Sequence, residues 1–443
     1  MWMFLAVACT QTQRIGTAPG AAVDDTSDQG PEALPGDTAA AGDTAELPWE
    51  APTHDADALP SGVPTVEITI GVGAMAKLDA NPFHADDEAG WFTDGDGVVR
   101  EVFLNYRGAY QLQSVMSYYD LRNWKVKFAE GDEYQGHRVW NFNYEPHFRQ
   151  QLGYDLLRFA GVAVPSTQHV MLVVNGEPVG TYLQYEDPDN KTWLWQQFGD
   201  DGGDLYKGAY DLPGEPQCFA DLTWLGSEDA DYLCHYAKHT NDNVAPNDMV
   251  VLRAFITQLN DTTDDEFAAW AEVNIDIDRL LSYVVVTNFV AQWDSYPQRP
   301  KNYWLYQNPK AANMVLVPWD LDNTFSADVD CCYNQMGATA SVFYDLLAND
   351  YEAPNEGEGT ERPLVRRVIA QPAFRAVYVA RYRELSETLL NDTWLDDRRE
   401  RLTAQLDPEL SRTDRQRLEA ANAAMERFVH ARTAFVADEL SGL

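Results

Sequence analysis

Val66-Glu-Ile-Thr-Ile70 alternates apolar and polar side chains, the period of a strand with one buried face. Residues 98–106 and 124–128 carry two more strand-like runs, and the second sets Lys125 and Lys127 on a common face. The period then lengthens. Phe148, Leu152, Leu156, Leu157 and Phe159 recur at helical spacing and stop before Gly161, which predicts a helix over residues 146–160. Residues 170–174 and 179–184 flank Asn175-Gly176, a dipeptide suited to the positive-φ positions of a tight hairpin. After the connector Asp187-Pro-Asp-Asn190, residues 217–246 are polar and turn-rich and read as an insert. Residues 250–259 and 277–290 read as helices, although Val284-Val-Val286 locally prefers a strand. Asn302-Tyr-Trp-Leu-Tyr306 and Met314-Val-Leu-Val317 read as paired strands around the turn cluster Gln307-Asn-Pro-Lys310. From Arg362 onward, charge and periodicity predict a helical tail.

Residues 10–62 differ in texture. Asp24, Asp25, Asp28, Glu32, Asp37, Asp43, Glu46, Glu50, Asp55 and Asp57 face a single cation, Arg14, among Ala, Gly, Pro and Thr. Such a segment buries too little surface to offset its chain entropy and is expected to be a disordered tether. Residues 1–8 are apolar and precede Cys9, with small residues at Ala6 and Ala8. They resemble a bacterial lipoprotein signal, though the Leu usually three before the Cys stands at Leu5 and no basic region precedes it. The resemblance implies an exported, cell-envelope lipoprotein that meets the membrane only through a lipid at Cys9. A start lying upstream and a chance apolar N-terminus are the alternatives.

The 443 residues carry a formal charge of -38, which argues against nucleic acid and against charge-driven adhesion to anionic lipid. With 45% hydrophobic residues the chain can bury a sizeable core, as two or three domains or as one two-lobed unit. Beyond Cys9 the cysteines are Cys218, Cys234 and the adjacent Cys331 and Cys332. In an exported protein they suggest disulfides of three conceivable connectivities, of which a bond between the adjacent pair is the least attractive. Bonds from Cys218 and Cys234 to Cys331 and Cys332 would pin the insert beside the candidate site. A zinc site with His235 and a reduced, buried pair remain open. Asp94-Gly-Asp-Gly97 reads as a hairpin turn, since it lacks the later Glu of a calcium loop.

The chemistry lies around the second hairpin. Asp294 precedes it in a loop, Asn302 opens it, and Asp320 and Asp322 follow it. Phosphoryl transfer in the protein-kinase fold needs this order: a base Asp, a metal-binding Asn in the same loop, then a hairpin that delivers a second metal-binding Asp. Mg²⁺ prefers hard oxygen ligands and keeps several waters, which explains the residue types. Two acids and an Asn at strand ends also serve as turn punctuation, and the pattern alone does not separate the readings.

Asn288-Phe-Val-Ala-Gln-Trp-Asp-Ser-Tyr296, Asn302-Tyr-Trp-Leu-Tyr306 and Val317-Pro-Trp-Asp-Leu-Asp-Asn-Thr-Phe325 resemble the catalytic segments of the CotH family of atypical protein kinases. Asn105-Tyr-Arg-Gly108, Trp124-Lys-Val-Lys-Phe128, Val174-Asn-Gly-Glu-Pro-Val-Gly-Thr-Tyr182 and Asp204-Leu-Tyr-Lys207 fall in the same order as in that family. The resemblance implies an α+β, two-lobed protein-kinase-like fold over residues 63–345, with lobes meeting near residue 186 and a helical C-terminal extension over 346–443. It implies a kinase that moves phosphate from Mg-ATP (Mn²⁺ serving as well) to a protein Ser or Thr; a monomer is the expectation for the chain. Asp294 would be the base, and Asn302, Asp320 and Asp322 would hold metal. Arg107, Arg122, Lys125 and Lys127 are candidates for the phosphates, and Glu186 for a nucleotide contact or a structural role. The rival is an exported binding or adhesion lipoprotein that keeps the fold without turnover.

Overall fold

The computed structural model describes residues 62–82, 86–108, 121–208, 218–241, 247–325, 336–347 and 361–443. Cys9, the expected tether, Cys331 and Cys332 lie outside the described residues. Strands β1 (Thr65–Ile70), β2 (Glu88–Thr93), β3 (Val99–Arg107), β4 (Asn123–Phe128), β5 (Val139–Tyr144), β6 (Thr167–Val174) and β7 (Glu177–Glu186) close a barrel in the order β1-β2-β3-β4-β5-β7-β6. Period-two alternation explains its contents. Val66, Ile68, Phe92, Val102, Leu104, Trp124, Val126, Phe128, Phe142 and Leu172 are buried in one cluster, while Lys125 and Lys127 face out.

The β6–β7 turn is the expected one, with Asn175 at φ 52° and Gly176 at φ 83°. It also helps close the barrel. The Asn175 side-chain oxygen accepts from Ile70 N at 2.8 Å, and Asn175 N donates to Ile68 O at 2.9 Å. This clip accompanies the parallel pairing of β1 with β6. Asp94 likewise sits in a hairpin turn, accepting from Asp96 N and Val98 N at 3.0 Å each and pairing with Arg100.

A second sheet, ordered β11-β10-β8-β9, contains β8 (Leu205–Gly208), β9 (Tyr236–Lys238), β10 (Tyr303–Asn308) and β11 (Asn313–Pro318). Its two faces divide by sequence parity. Leu205, Trp304, Tyr306, Val315 and Val317 pack with Tyr185 at the end of β7 and with Trp193, Leu194 and Phe198 of a short helix. Tyr206, Tyr303, Leu305, Met314 and Leu316 pack into the helical core on the opposite face. At Gly203 a Cβ would overlap the Gln307 carbonyl, so only glycine allows that close approach.

The helices are α1 (Val72–Ala80), α2 (Arg149–Phe159), α3 (Lys191–Phe198), α4 (Val250–Asp261), α5 (Asp264–Asn274), α6 (Ile277–Phe289), α7 (Pro363–Ala370), α8 (Pro372–Thr388), α9 (Asp392–Leu406) and α10 (Arg412–Ser441). In α6 the strand preference of Val284-Val-Val286 is overridden, because every residue from Leu280 to Phe289 is buried. The expected helical tail is α7 to α10. Leu364, Tyr378, Leu402 and Met425 share one core cluster with Leu280 and Leu305, so the tail packs as part of the same body. The described residues thus form an α+β protein with a helical C-terminal stretch. None of their helices is long and apolar enough to cross a membrane.

Candidate active site

The β10–β11 hairpin brings the acids and the amide together. Its register places Tyr303 opposite Pro318, and Trp319 N donates to Asn302 O at 3.0 Å, one step beyond the last pair. Asn302 and Asp320 therefore sit at the same open end of the hairpin. Both adopt left-handed backbone, with φ of 55° and 52°. Asn and Asp tolerate that region better than other side chains, and such conformations concentrate at functional sites.

Asp294 lies in the loop after α6, with 8% of its surface exposed. Asn302 Nδ2 donates to the Asp294 carbonyl at 2.8 Å and to its carboxylate at 3.0 Å. Lys301 and Arg299 pair with the other carboxylate oxygen at 3.1 and 3.3 Å. Asn323 Nδ2 lies 3.4 Å from Asp294. The loop is held from several directions. Tyr296 donates its hydroxyl to Asp221 O at 2.9 Å, and buried Arg362 donates to Gln298 O while pairing with Asp345 at 2.7 Å.

Asp320 is fixed by three glutamine or tyrosine contacts. Gln150 Nε2 donates to its carboxylate at 3.2 Å, Gln292 Nε2 donates to its carbonyl at 2.8 Å, and its own N–H donates to the Tyr154 hydroxyl at 3.2 Å. Burial pushes the Asp320 carboxyl above its ordinary value; Arg107 opposes this and Asp294 adds to it. The Asp322 carboxyl is pushed further up, first by its dense surroundings and then by Asp320 and Asp294. Asp322 is solvent-exposed, so water screens part of that effect, and the repulsion from two neighbouring carboxyls is the firmer cause.

The proposed cations divide into two groups. Arg107 donates to Asn143 Oδ1 at 2.5 Å and to the Tyr185 hydroxyl, and its guanidinium lies over the rings of Tyr185 and Trp319 at 5.1 and 5.7 Å. It stands next to the Asp320 loop. Lys125 pairs with buried Asp187 at 3.2 Å, beyond the end of β7. Burial works against ionisation of Asp187, but Lys125, Lys207 and Arg107 outweigh it and hold its carboxyl below the ordinary range. Arg122 instead lies over the Tyr106 ring at 5.4 Å, and Lys127 pairs with Asp87 at 2.7 Å. Glu186 accepts from Ser166 N at 2.8 Å and lies 3.1 Å from His137, while its chain neighbours Tyr185 and Asp187 make the contacts to Arg107 and Lys125.

Sequence reasoning missed Lys207, Gln150 and Tyr154. Lys207 pairs across β8–β10 with Trp304, and its ammonium lies 5.1 Å from that ring. Trp304 meets Trp319 edge-on at 5.8 Å, so two cations, Lys207 and Arg107, flank an aromatic pair beside Asp320. A basic residue closing the short strand-like run Leu205-Tyr-Lys207 in so acidic a chain was the available signal. Gln150 and Tyr154 carried none, because their role depends on where α2 docks.

The cysteine expectation needs correction. Cys218 is bonded to Cys234, with Cα atoms 5.7 Å apart, rather than to Cys331 or Cys332. The insert folds back on itself there, and the bond takes up both thiolates that the zinc alternative needs, with His235 Nδ1 2.6 Å from Phe219 O. The closed loop still reaches the site: Tyr303 donates to Ala220 O and Tyr296 to Asp221 O.

Among the described residues no group of three His, Cys, Asp or Glu side chains is gathered tightly enough to hold a metal alone. The donor set nevertheless fits Mg²⁺, which commonly takes one or two carboxylates and completes its shell with water and substrate phosphates. With its nitrogen committed to Asp294, Asn302 has an oxygen to offer, and Asp320 offers a carboxylate whose charge is disfavoured without a cation.

The model of the family described as CotH kinase protein matches residues 104–436. The chain is 22% identical over 233 residues to the inner spore coat protein H of Bacillus subtilis, spanning 52% of this chain and 60% of that one. It is 22% identical over 261 residues to invasin CotH3 of Rhizopus delemar, spanning 56% of this chain and 40% of the invasin. Invasin CotH2 of the same organism is 24% identical over 216 residues, with 34% of its length spanned. The chain thus covers less than two thirds of each of these relatives. A HipA–HipB–operator DNA complex from Shewanella oneidensis aligns over 86% of this chain and 75% of the solved one, at 13% identity and a TM-score of 0.35, a likeness too weak to carry an inference.

Proposed function

Because the chain belongs to the CotH kinase protein family, we propose that it is a two-lobed, protein-kinase-like phosphotransferase that moves the γ-phosphoryl group of ATP to a protein Ser or Thr hydroxyl. The observation that carries this reading is the meeting of Asp294, Asn302 and Asp320 at one hairpin end, beside Arg107 and Lys207. The acceptor hydroxyl would lose its proton to Asp294 as its oxygen bonds to phosphorus and the bond to ADP breaks. Arg299 and Lys301 orient the Asp294 carboxylate for that task. Arg107 and Lys207 supply positive charge where the phosphates would lie, with Lys125 already paired to Asp187. Mg²⁺ or Mn²⁺ held by Asn302 and Asp320, with Asp322 nearby, would neutralise charge on the β- and γ-phosphates.

The relatives, a spore coat protein and two invasins, support an exterior location, to which a lipid anchor at Cys9 would add envelope retention. The invasin names also favour the second reading, a surface binding protein without turnover. Incubating the purified protein with labelled ATP, with and without Mg²⁺ or Mn²⁺, separates the two. Transfer of label to protein hydroxyls supports the kinase, and absence of metal-dependent ATP binding leaves only the binding protein.

A further inference from the structure

We propose that helix α9 of the C-terminal tail positions Asp320 through α2, an inference that rests on the reading of Asp320 as a metal ligand. Helix α2 has two engaged sides. Toward the site, Gln150 and Tyr154 hold the Asp320 carboxylate and backbone N–H at 3.2 Å each. Between them, Gly153 lies so close to the loop that a Cβ would stand 3.2 Å from Leu321 Cβ. Toward the tail, Asp155 accepts from Arg398 Nε at 3.1 Å and Arg398 Nη2 at 2.7 Å, with side-chain exposures of only 3% and 4%. Phe159 meets Trp394 edge-on at 5.7 Å, and the Arg398 guanidinium lies over Phe159 at 5.4 Å. Arg158, on α2 itself, also pairs with Asp155 at 2.8 Å. Helix α9 is tied in turn to α10, where Arg399 Nε donates to Asn422 Oδ1 at 2.9 Å.

An eleven-residue helix has little stability of its own and takes its position from its partners. The buried Arg398–Asp155 pair is the polar anchor on the tail side, and losing Arg398 leaves Asp155 Oδ2 without its donors while Arg158 still holds Oδ1. The left-handed backbone of Asp320 needs its surroundings to over-determine it, and α2 provides two of the contacts that do so. Arg398 is accordingly a positioning residue, remote from substrate and acting through Asp155 and α2.

The test uses the full chain carrying Arg398→Met, Arg398→Lys or Gly153→Ala. Arg401→Gln, at an exposed pair with Asp397 on the same helix, is the control. Two quantities are read: amide hydrogen exchange at residues 319–322 without ligands, and the Mg²⁺ concentration that half-saturates ATP binding. Arg398→Met is expected to speed exchange at Asp320 and raise the half-saturating Mg²⁺ about tenfold. Arg398→Lys falls between it and wild type, Gly153→Ala has the same effects from the site side of α2, and Arg401→Gln matches wild type. Folded Arg398→Met with wild-type exchange and wild-type Mg²⁺ dependence overturns the proposal. If Arg398→Met does not fold, Arg398→Lys decides by the same two readouts. A wild type without Mg²⁺ dependence refutes the kinase reading, and exchange at Asp320 then decides the positioning role on its own.

Discussion

Asn302 donates one side-chain amide to both the backbone carbonyl and the carboxylate of Asp294, at 2.8 and 3.0 Å. A residue assigned to the metal thus also fixes the assigned base. Asn302→Ala should therefore harm two functions at once, weakening metal-dependent nucleotide binding and slowing transfer at saturating ATP and metal. Asp294→Ala should bind Mg-ATP nearly as well as wild type and transfer roughly 10²–10⁴-fold more slowly. Comparing ATP binding with single-turnover transfer in both variants checks the split, and equal loss of binding in Asp294→Ala would refute it.

The two groups of cations predict different outcomes. Lys207→Met should lower ATP affinity about tenfold or more, as expected for a lost charge-assisted phosphate contact. Lys127→Met should change it little, because Lys127 is engaged with Asp87 at 2.7 Å. Calorimetric titration with ATP in Mg²⁺ distinguishes them. The reverse ranking would place the phosphates along β4 instead.

The Cys218–Cys234 bond closes a loop with a sequence separation of 16, a length for which loop-closure entropy gives about 3 kcal/mol. Removing both thiols, by Cys218→Ser with Cys234→Ser, should lower unfolding free energy by about 2–4 kcal/mol. Peptide mapping without reductant should recover the two cysteines cross-linked. A map with Cys218 joined to Cys331 or Cys332 would contradict the pairing.

Much of the architecture was legible where one local signal sufficed. The Asn175-Gly176 turn, the hairpin ending at Pro318 and the tail helices all declare themselves by turn chemistry or periodicity. Strand β5 did not, because Trp140, Asn141 and Phe142 are buried in succession and the alternation is lost. Helix α3 was passed over although its ends are marked, with Asn190 capping Thr192 N at 2.9 Å and Gly199 at φ 68°. Barrel closure was hidden because β1 and β6 meet from distant parts of the chain. In the site, acids and amide were readable as residue types in order. The contacts that hold them, from Gln150, Tyr154 and Lys207, arise only on folding.

Asp187 gives the fold a definite pH response. Its folded-state carboxyl is held below the ordinary value of 3.8, so the stability it contributes is fully present above that value. It is lost as pH falls through the lower folded value. Melting temperatures measured from pH 7 down to pH 2 should therefore drop below about pH 4, and Asp187→Asn should flatten part of that drop. At neutral pH the variant should be less stable by about 1–3 kcal/mol, since Lys125 loses its buried partner. An unchanged acid limb in Asp187→Asn would show that other carboxylates govern it.

The central claim is metal-dependent phosphoryl transfer from a site built on Asp320. The most direct measurement is transfer of labelled γ-phosphate to protein by wild type and Asp320→Asn across a Mg²⁺ and Mn²⁺ titration. The account predicts label on Ser or Thr with wild type and metal. In Asp320→Asn it predicts loss of both the transfer and the metal-dependent ATP binding. Wild type that binds no ATP under either ion, or Asp320→Asn that transfers as wild type does, would contradict it.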